Sequence, residues 1–299
     1  MQKILKLIFI FIVIGFLSNR TIFGIKQRII LTGPNHTGSN VFATKLTKIW
    51  DDSEYNTKII LVKKIESIQE KRLEQISNNR NYLAIIDAKT AYDNFKFYPN
   101  LRVISVLWEN WLFAIGNSQK TEINFRNRND FLIHENSFYF AKFWKDVLPK
   151  TKFKWFNKKN IPNLDKDFSE EIVIFSGPKN LQEIFYWLEK YAGIKLLSFN
   201  KQLIESIKLK YKWLISEKIP PNTYPYQLER LLGLKWHPVL VGHVSLSEDF
   251  VFSLLKIIFS QKEKINPHPL FKNLIISDNK NFRNLFSFHT SSKKFFRVK

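Results

Sequence analysis

The chain of 299 residues has no cysteine anywhere. That absence excludes disulfides, thiol catalysis and a lipobox lipoprotein anchor, and it suits an oxidising compartment. Metal-binding spacing is missing too. The six histidines, His36, His134, His237, His243, His268 and His289, are scattered without an HxxxH or HExxH pattern, so no metal site is expected. There is no GxSxG elbow, paired-carboxylate motif or cysteine nucleophile, which leaves hydrolase readings without support. No enzyme activity and no cofactor are expected. A nucleotide P-loop also fails: Gly33 and Gly38 have the GxxxxGK[ST] spacing, but Ser39 stands where the phosphate-binding lysine belongs. No internal repeat or low-complexity linker interrupts the chain.

What is present is apolar and basic. At 44% hydrophobic and 15% aromatic residues, the chain can bury a real core and is long enough for two lobes. Residues 1–17 place Lys3 and Lys6 before an apolar run from Leu7 to Leu17, the n-region and h-region of a secretory signal. Residues 1–24 are therefore read as a signal peptide or N-terminal anchor, since no clean small-x-small cleavage site follows the run. Membrane contact through an uncleaved N-terminus stays open. The net charge of +21 invites a nucleic-acid or anionic-membrane partner. The lysines are spread along the chain, however, and abundant Lys, Asn, Ile and Phe together match an AT-biased genome, so no nucleic-acid partner is expected. Lys293, Lys294, Arg297 and Lys299 read as a solvated basic tail.

The most informative stretch is Arg28 to Trp50. Arg28–Thr32 is a short apolar run fit for a buried strand, Gly33-Pro34-Asn35 punctuates it, and from about Ser39 the residues Phe42, Leu46, Ile49 and Trp50 share one helix face. A strand, polar loop and helix start bring backbone N–H groups, hydroxyls and the positive end of a helix dipole to one point. Thr37, Gly38, Ser39 and Asn40 are accordingly candidates to hold an anion; the plainer reading is a turn and a helix cap.

Further strands are read at Lys58–Val62, Tyr82–Asp87, Leu101–Leu107 and Glu171–Phe175, with others at Ile194–Phe199 and His237–His243. Helices are read at Ile65–Ile76 and over Ser137–Val147, and Ala88 to Asn94 is read as a turn into a short helix. Another runs along Leu181, Ile184, Phe185 and Leu188, with Gly193 as its stop. Ser245 with Glu248 makes a capping-box pattern before Val251, Leu254, Leu255 and Ile258. Trp111–Ile115 is read as a crossing strand between lobes. Alternation of strands and helices predicts an α/β fold with βαβ units around a mostly parallel sheet. Residues 116–170 are the least legible. Asp87, at a strand end, is a ligand candidate whose alternative is a helix N-cap or salt bridge; Glu109 is a candidate acceptor for an ammonium group. Ser176 and Gly177 end another strand at a cleft-facing position.

From about Ile29 to Leu274 the chain resembles the TAXI family of solute-binding proteins, the extracytoplasmic receptors of a class of TRAP transporters. The resemblance rests on TGPNHTGSNVFATKLTKIW, YLAIIDAKTAYD and LRVISVLWENWLFAIG. It continues in IVIFSGPKNLQEIFYWLEKYAGIKLLSFN, KIPPNTYP and HPVLVGHVSLSEDFVFSLLKIIFSQKEKINPHP. It implies a type II periplasmic-binding-protein-like fold: two α/β lobes joined by hinge strands. Lobe 1 would span 25–113 and 232–299, and lobe 2 would span 114–231. It also implies a periplasmic, non-enzymatic receptor for a small carboxylate or amino acid such as glutamate, working with a TRAP-type membrane permease. The second-lobe loop of the family aligns with His134-Glu135-Asn136-Ser137, which adds Asn136 and Ser137 to the candidates. Two departures stand out. His36-Thr37-Gly38-Ser39-Asn40 replaces the family's Gly-Gly-Thr-Tyr-Tyr type loop, and the second loop lacks its glycines. The competing reading is a membrane-anchored basic protein on the same scaffold, binding an anionic polymer or lipid surface with the small-ligand site changed or lost.

Overall fold

The computed structural model describes residues 26–33, 37–51, 57–61, 68–120, 122–123, 131–134, 141–149, 151–156, 172–179, 181–260, 274 and 276–297. The first apolar run forms β1 (Lys26–Leu31), and the change to helical periodicity forms α1 (Gly38–Asp51), which buries Phe42, Leu46, Ile49 and Trp50. β2 (Thr57–Leu61), α2 (Gln69–Asn78), β3 (Tyr82–Asp87), α3 (Ala88–Asn94) and β4 (Leu101–Val106) follow. The chain then passes through residues 107–109 into β5 (Asn110–Asn117). Beyond it come β6 (Glu122–Ile123), β7 (Phe131–His134), α4 (Ala141–Val147), β8 (Phe153–Phe156) and β9 (Ile172–Gly177). Next are α5 (Gln182–Lys190), β10 (Ile194–Leu196), β11 (Ser198–Phe199), α6 (Lys201–Lys210), β12 (Ile215–Ile219) and β13 (Leu231–Trp236). The described chain ends with β14 (Pro238–His243), α7 (Glu248–Ser260), α8 (Ile276–Asn281) and α9 (Thr290–Phe296).

These strands fall into two principal sheets with one shared plan. The first has the order β2-β1-β3-β14-β4, with β1 parallel to β2 and β3, and β14 antiparallel to both its neighbours. In the second, β8-β7-β9-β5 continues to β10 beside the C-terminal half of β5, with β7 parallel to β8 and β9, and β5 antiparallel to β9 and β10. Strand for strand, the second order repeats the first. In each, the antiparallel strand arrives from the other half of the chain: β5 leaves the first sheet to join the second, and β14 returns. This exchange defines the α/β, type II periplasmic-binding-protein-like arrangement. A hairpin of β12 and β13 extends the second sheet along the N-terminal half of β5, and β6 with β11 forms a small parallel pair.

Alternation along the strands builds the cores. Ile30, Leu83, Ile85, Ile104 and Leu240 point to α1 and α7, while Leu31, Ala84, Ile86, Val103 and Val239 point to the opposite face. In β5, Trp111, Phe113 and Ile115 join one cluster, whereas Leu112 and Ala114 join another. Strands buried on both faces in this way read as continuous apolar runs, which is why they are visible in the sequence.

Several local expectations are corrected. Ser245 is not the cap of α7, which starts at Glu248; its hydroxyl lies 2.7 Å from His243 Nδ1, and the Ser247 carbonyl opens the helix by accepting from Val251 N–H. The basic tail is not simply solvated. α9 buries Ser291, Ser292 and Phe296, Phe296 packs on Phe259 of α7, and Thr290, Lys293 and Lys294 face water, Lys294 pairing with Glu248 at 2.6 Å. The strand expected at Ile194–Phe199 is two strands, broken where Leu197 folds against Gly116 and donates its N–H to the Ala114 carbonyl. Gly193 is not the stop of α5: the helix ends at Lys190 with an extended Tyr191 as its C-cap, and Gly193, at φ of 77°, makes the turn into β10. The helix expected from Ser137 is described only from Ala141.

One polar residue fastens the C-terminal segment to the first sheet. Asn279 of α8 is fully buried, and its Oδ1 accepts the Val106 N–H at 2.7 Å. Asn279→Ala should lower stability by roughly 1–3 kcal/mol, because the Val106 N–H loses its acceptor inside the protein. Denaturant titration against wild type measures this, and an unchanged midpoint would show that the contact contributes nothing.

Candidate functional site

In open parallel sheets, ligands gather beyond the carboxyl ends of the strands. Register places those ends beside the two inter-sheet crossings. Pro238, the first residue of β14, lies opposite Asp87, the last of β3, and Val239 lies opposite Val106. In the second sheet Gly177 and Ser176, at the end of β9, lie opposite Trp111 and Leu112 at the start of β5. The crossings are themselves tied together: Leu107 N–H donates to the Pro238 carbonyl at 2.9 Å, and Trp236 pairs with Asn110. Trp236 Nε1–H also reaches Ser176 Oγ at 3.4 Å. Asp87, Glu109, Ser176 and Gly177 are thus brought to strand ends flanking the crossings, while Asn136 and Ser137 lie outside the described residues.

The loop entering α1 has a specific geometry. Thr37 Oγ1 and Ser39 Oγ are 2.9 Å apart, and Gly33 N–H donates to Ser39 Oγ at 3.2 Å. A Cβ built on Gly33 would stand 3.0 Å from Thr37 Oγ1, 3.3 Å from Ser39 Oγ and 3.3 Å from Arg72 Nη2. Two hydroxyls and a guanidinium therefore converge closely on Gly33, where any side chain would have to displace them. Gly38 is the first residue of α1. Asn40 plays a different part. It is buried, and its amide donates to Thr32 Oγ1 at 3.2 Å, fixing the helix to the end of β1.

Arg72 is one residue that sequence reasoning missed. It lies on α2, is 4% exposed, and donates from Nη1 to the Ile85 carbonyl at 2.7 Å. A charged helix such as QEKRLEQISN gives every appearance of a solvated face. The signal available was the spacing of Arg72 with Leu73 and Ile76, which puts all three on the buried side. Gln69, one turn earlier, locks Asp87 by a reciprocal pair: the Asp87 N–H donates to Gln69 Oε1 at 2.6 Å, and Gln69 Nε2 donates to the Asp87 carboxylate. Asp87 holds the N-cap position of α3 without a side-chain capping bond, so the sequence-level alternative of a helix cap is replaced by this amide clamp. Burial pushes its pKa up to about 6, against the opposing effects of the Gln69 bond and the Arg72 and Lys89 charges.

Glu109 finds an ammonium group within the chain. Lys235 Nζ lies 3.0 Å from Glu109 Oε2 and 2.5 Å from Glu217 Oε2, and Glu109 and Lys235 are both buried. Burial alone would raise the Glu109 pKa; the Lys235 charge and the hydrogen bonds to the carboxylate together outweigh it and hold Glu109 below the usual carboxylate range. The same ion cluster raises Lys235 despite its burial, through Glu217 and Glu109. The lysine was unreadable from sequence because β13 alternates, and nothing in LLGLKW marks which face is enclosed.

Among the described residues no helix is long and apolar enough to cross a membrane. No family profile matches the chain, and no curated protein matches it. Solved structures do resemble it. A TctC solute-binding protein from Polaromonas is 11% identical with a TM-score of 0.47, covering 91% of this chain and 93% of that one. The substrate-binding protein AbpA of Streptococcus pneumoniae, bound to L-arginine, is 11% identical with a TM-score of 0.40, over 83% and 93%. OxyR of Corynebacterium glutamicum is 10% identical with a TM-score of 0.38, over 86% and 71%. None of these likenesses, at TM-scores below 0.5, identifies a ligand.

Proposed function

We propose that the chain is an extracytoplasmic solute-binding receptor of the TAXI kind, which captures a small carboxylate or amino acid between two lobes and delivers it to a TRAP-type membrane permease. The lobes would be 25–113 with 232–299, which holds the first sheet, and 114–231, which holds β7, β8, β9 and β10 of the second, with β5 and β13 lying across the two boundaries. The observation that carries this reading is the convergence of Thr37, Ser39 and Arg72 on Gly33 at the carboxyl end of β1. A carboxylate seated there meets hydroxyl donors, the start of α1 and a buried positive charge, the combination that stabilises an anion with directional bonds. Ser176 and Gly177 would meet the ligand from the second lobe as the lobes close, and Asp87 would face an ammonium group if the ligand carries one. Because Glu109 is already paired with Lys235, its part is to hold the crossing in shape.

The test is a thermal-shift screen of the full-length protein against amino acids, keto acids and dicarboxylates. A ligand at about a hundred times its dissociation constant stabilises the fold by roughly 2.7 kcal/mol. Ser39→Ala should then weaken binding about tenfold by calorimetry, the loss of one charge-assisted bond. If Ser39→Ala binds as wild type does, the cradle is elsewhere. Silence across the screen, together with polyanion binding that weakens steeply with salt, would favour the surface-binding alternative.

A further inference from the structure

The return crossing buries two acceptors against each other. His237 is fully enclosed between β13 and β14, and its Nδ1 lies 3.1 Å from the Leu107 carbonyl of the outward crossing. A carbonyl can only accept, so Nδ1 carries the proton of the neutral ring and Nε2 presents a lone pair. Nε2 faces Asp278 Oδ2 of α8 at 3.9 Å, beyond hydrogen-bond reach. Both atoms are buried without a hydrogen-bond partner, and Asp278 is 4% exposed. The Phe282 ring, 5.4 Å from that of His237, helps to close the site.

A lone pair facing a carboxylate in a dry site is costly unless a proton joins them. We propose that Asp278 and His237 form a single-proton latch, in which a proton taken from solvent onto Asp278 Oδ2 is donated to His237 Nε2, fastening α8 to both crossings. The pair closes by about 1 Å to reach bonding distance, and no other bond changes. Mild acid thereby stiffens the segments that join the two sheets. The charged groups facing the pair are Lys235, Glu109 and Glu217; Lys235 favours the ionised carboxylate, and the two glutamates oppose it. Burial dominates and lifts Asp278 to about 6, while burial also depresses His237 to about 4, so the carboxyl takes the proton first.

The sign follows from linkage. A carboxyl raised in the folded state adds stability as pH falls through about 6 and loses it as pH rises. The exclusion of a proton from His237 works in the opposite sense, so the melting temperature of wild type alone mixes the two. Asp278→Asn separates them, because its amide N–H donates to Nε2 at every pH. The variant should melt a few degrees above wild type at pH 7, and that gap should close by pH 5. In parallel, the Nε2 resonance of 15N-histidine-labelled full-length wild type should move with a midpoint near pH 6 while remaining unprotonated. An imidazolium signal from His237 over that range, or no movement at all, overturns the latch, as does a gap equal at both pH values. The resonance decides the matter on wild type even if the variant does not fold.

Discussion

Replacing Lys235 by methionine should lower the stability of the protein by roughly 3–5 kcal/mol, the usual cost of leaving a buried charge without its partner. Glu109 lies within the fold with Lys235 at 3.0 Å as its cation, and burial by itself drives its carboxyl toward the neutral form. Glu217, the other partner of that ammonium, is partly exposed and can turn to water. The loss should therefore fall on Glu109, and Glu109→Gln in the Lys235→Met background should restore much of it. Thermal melts at pH 7 measure the effect: a fall of roughly 6 °C or more is expected for the single variant. A single variant melting with wild type, or a double variant worse than the single, would show that the ion pair does not hold the crossing. The effect should also grow with pH, because acid lets Glu109 shed its charge by protonation.

Arg72→Met should weaken carboxylate binding by about 100-fold, since two charge-assisted bonds at roughly 1.5 kcal/mol each are lost together with the local positive charge. Methionine fills a similar volume on the buried side of α2, so packing with Leu73 and Ile76 is kept, although the bond to the Ile85 carbonyl disappears. Arg72→Lys separates charge from geometry: it retains the cation without the planar fork and should bind at an intermediate affinity. Calorimetry with whichever carboxylate the thermal screen returns is the measurement, made well below the melting temperature of each variant. Unchanged affinity in Arg72→Met would remove the guanidinium from the site, and with it the strongest reason for an anionic ligand.

The path of the chain through the first sheet was legible from its residues alone. Apolar runs at β1, β3, β4 and β14 are buried on both faces, and a strand enclosed in that way needs no partner to be recognised. Helices with one apolar stripe, α1 and α7 above all, were equally plain. Strand order was not written there. That β5 and β14 each cross to the other sheet, and that β8-β7-β9-β5-β10 repeats β2-β1-β3-β14-β4, depends on pairings between residues far apart in sequence. The β12–β13 hairpin and α6 were missed because ISEKI and KQLIESIKLK are short and charged, with edges in water. The site divides in the same way. Thr37, Gly38 and Ser39 announce themselves through local chemistry, a polar bend before a helix. Arg72, Lys235 and Asp278 do not, since a charged side chain looks solvated until other elements enclose it. Burial sets their charge and their partners, and burial is a property of the assembled layers.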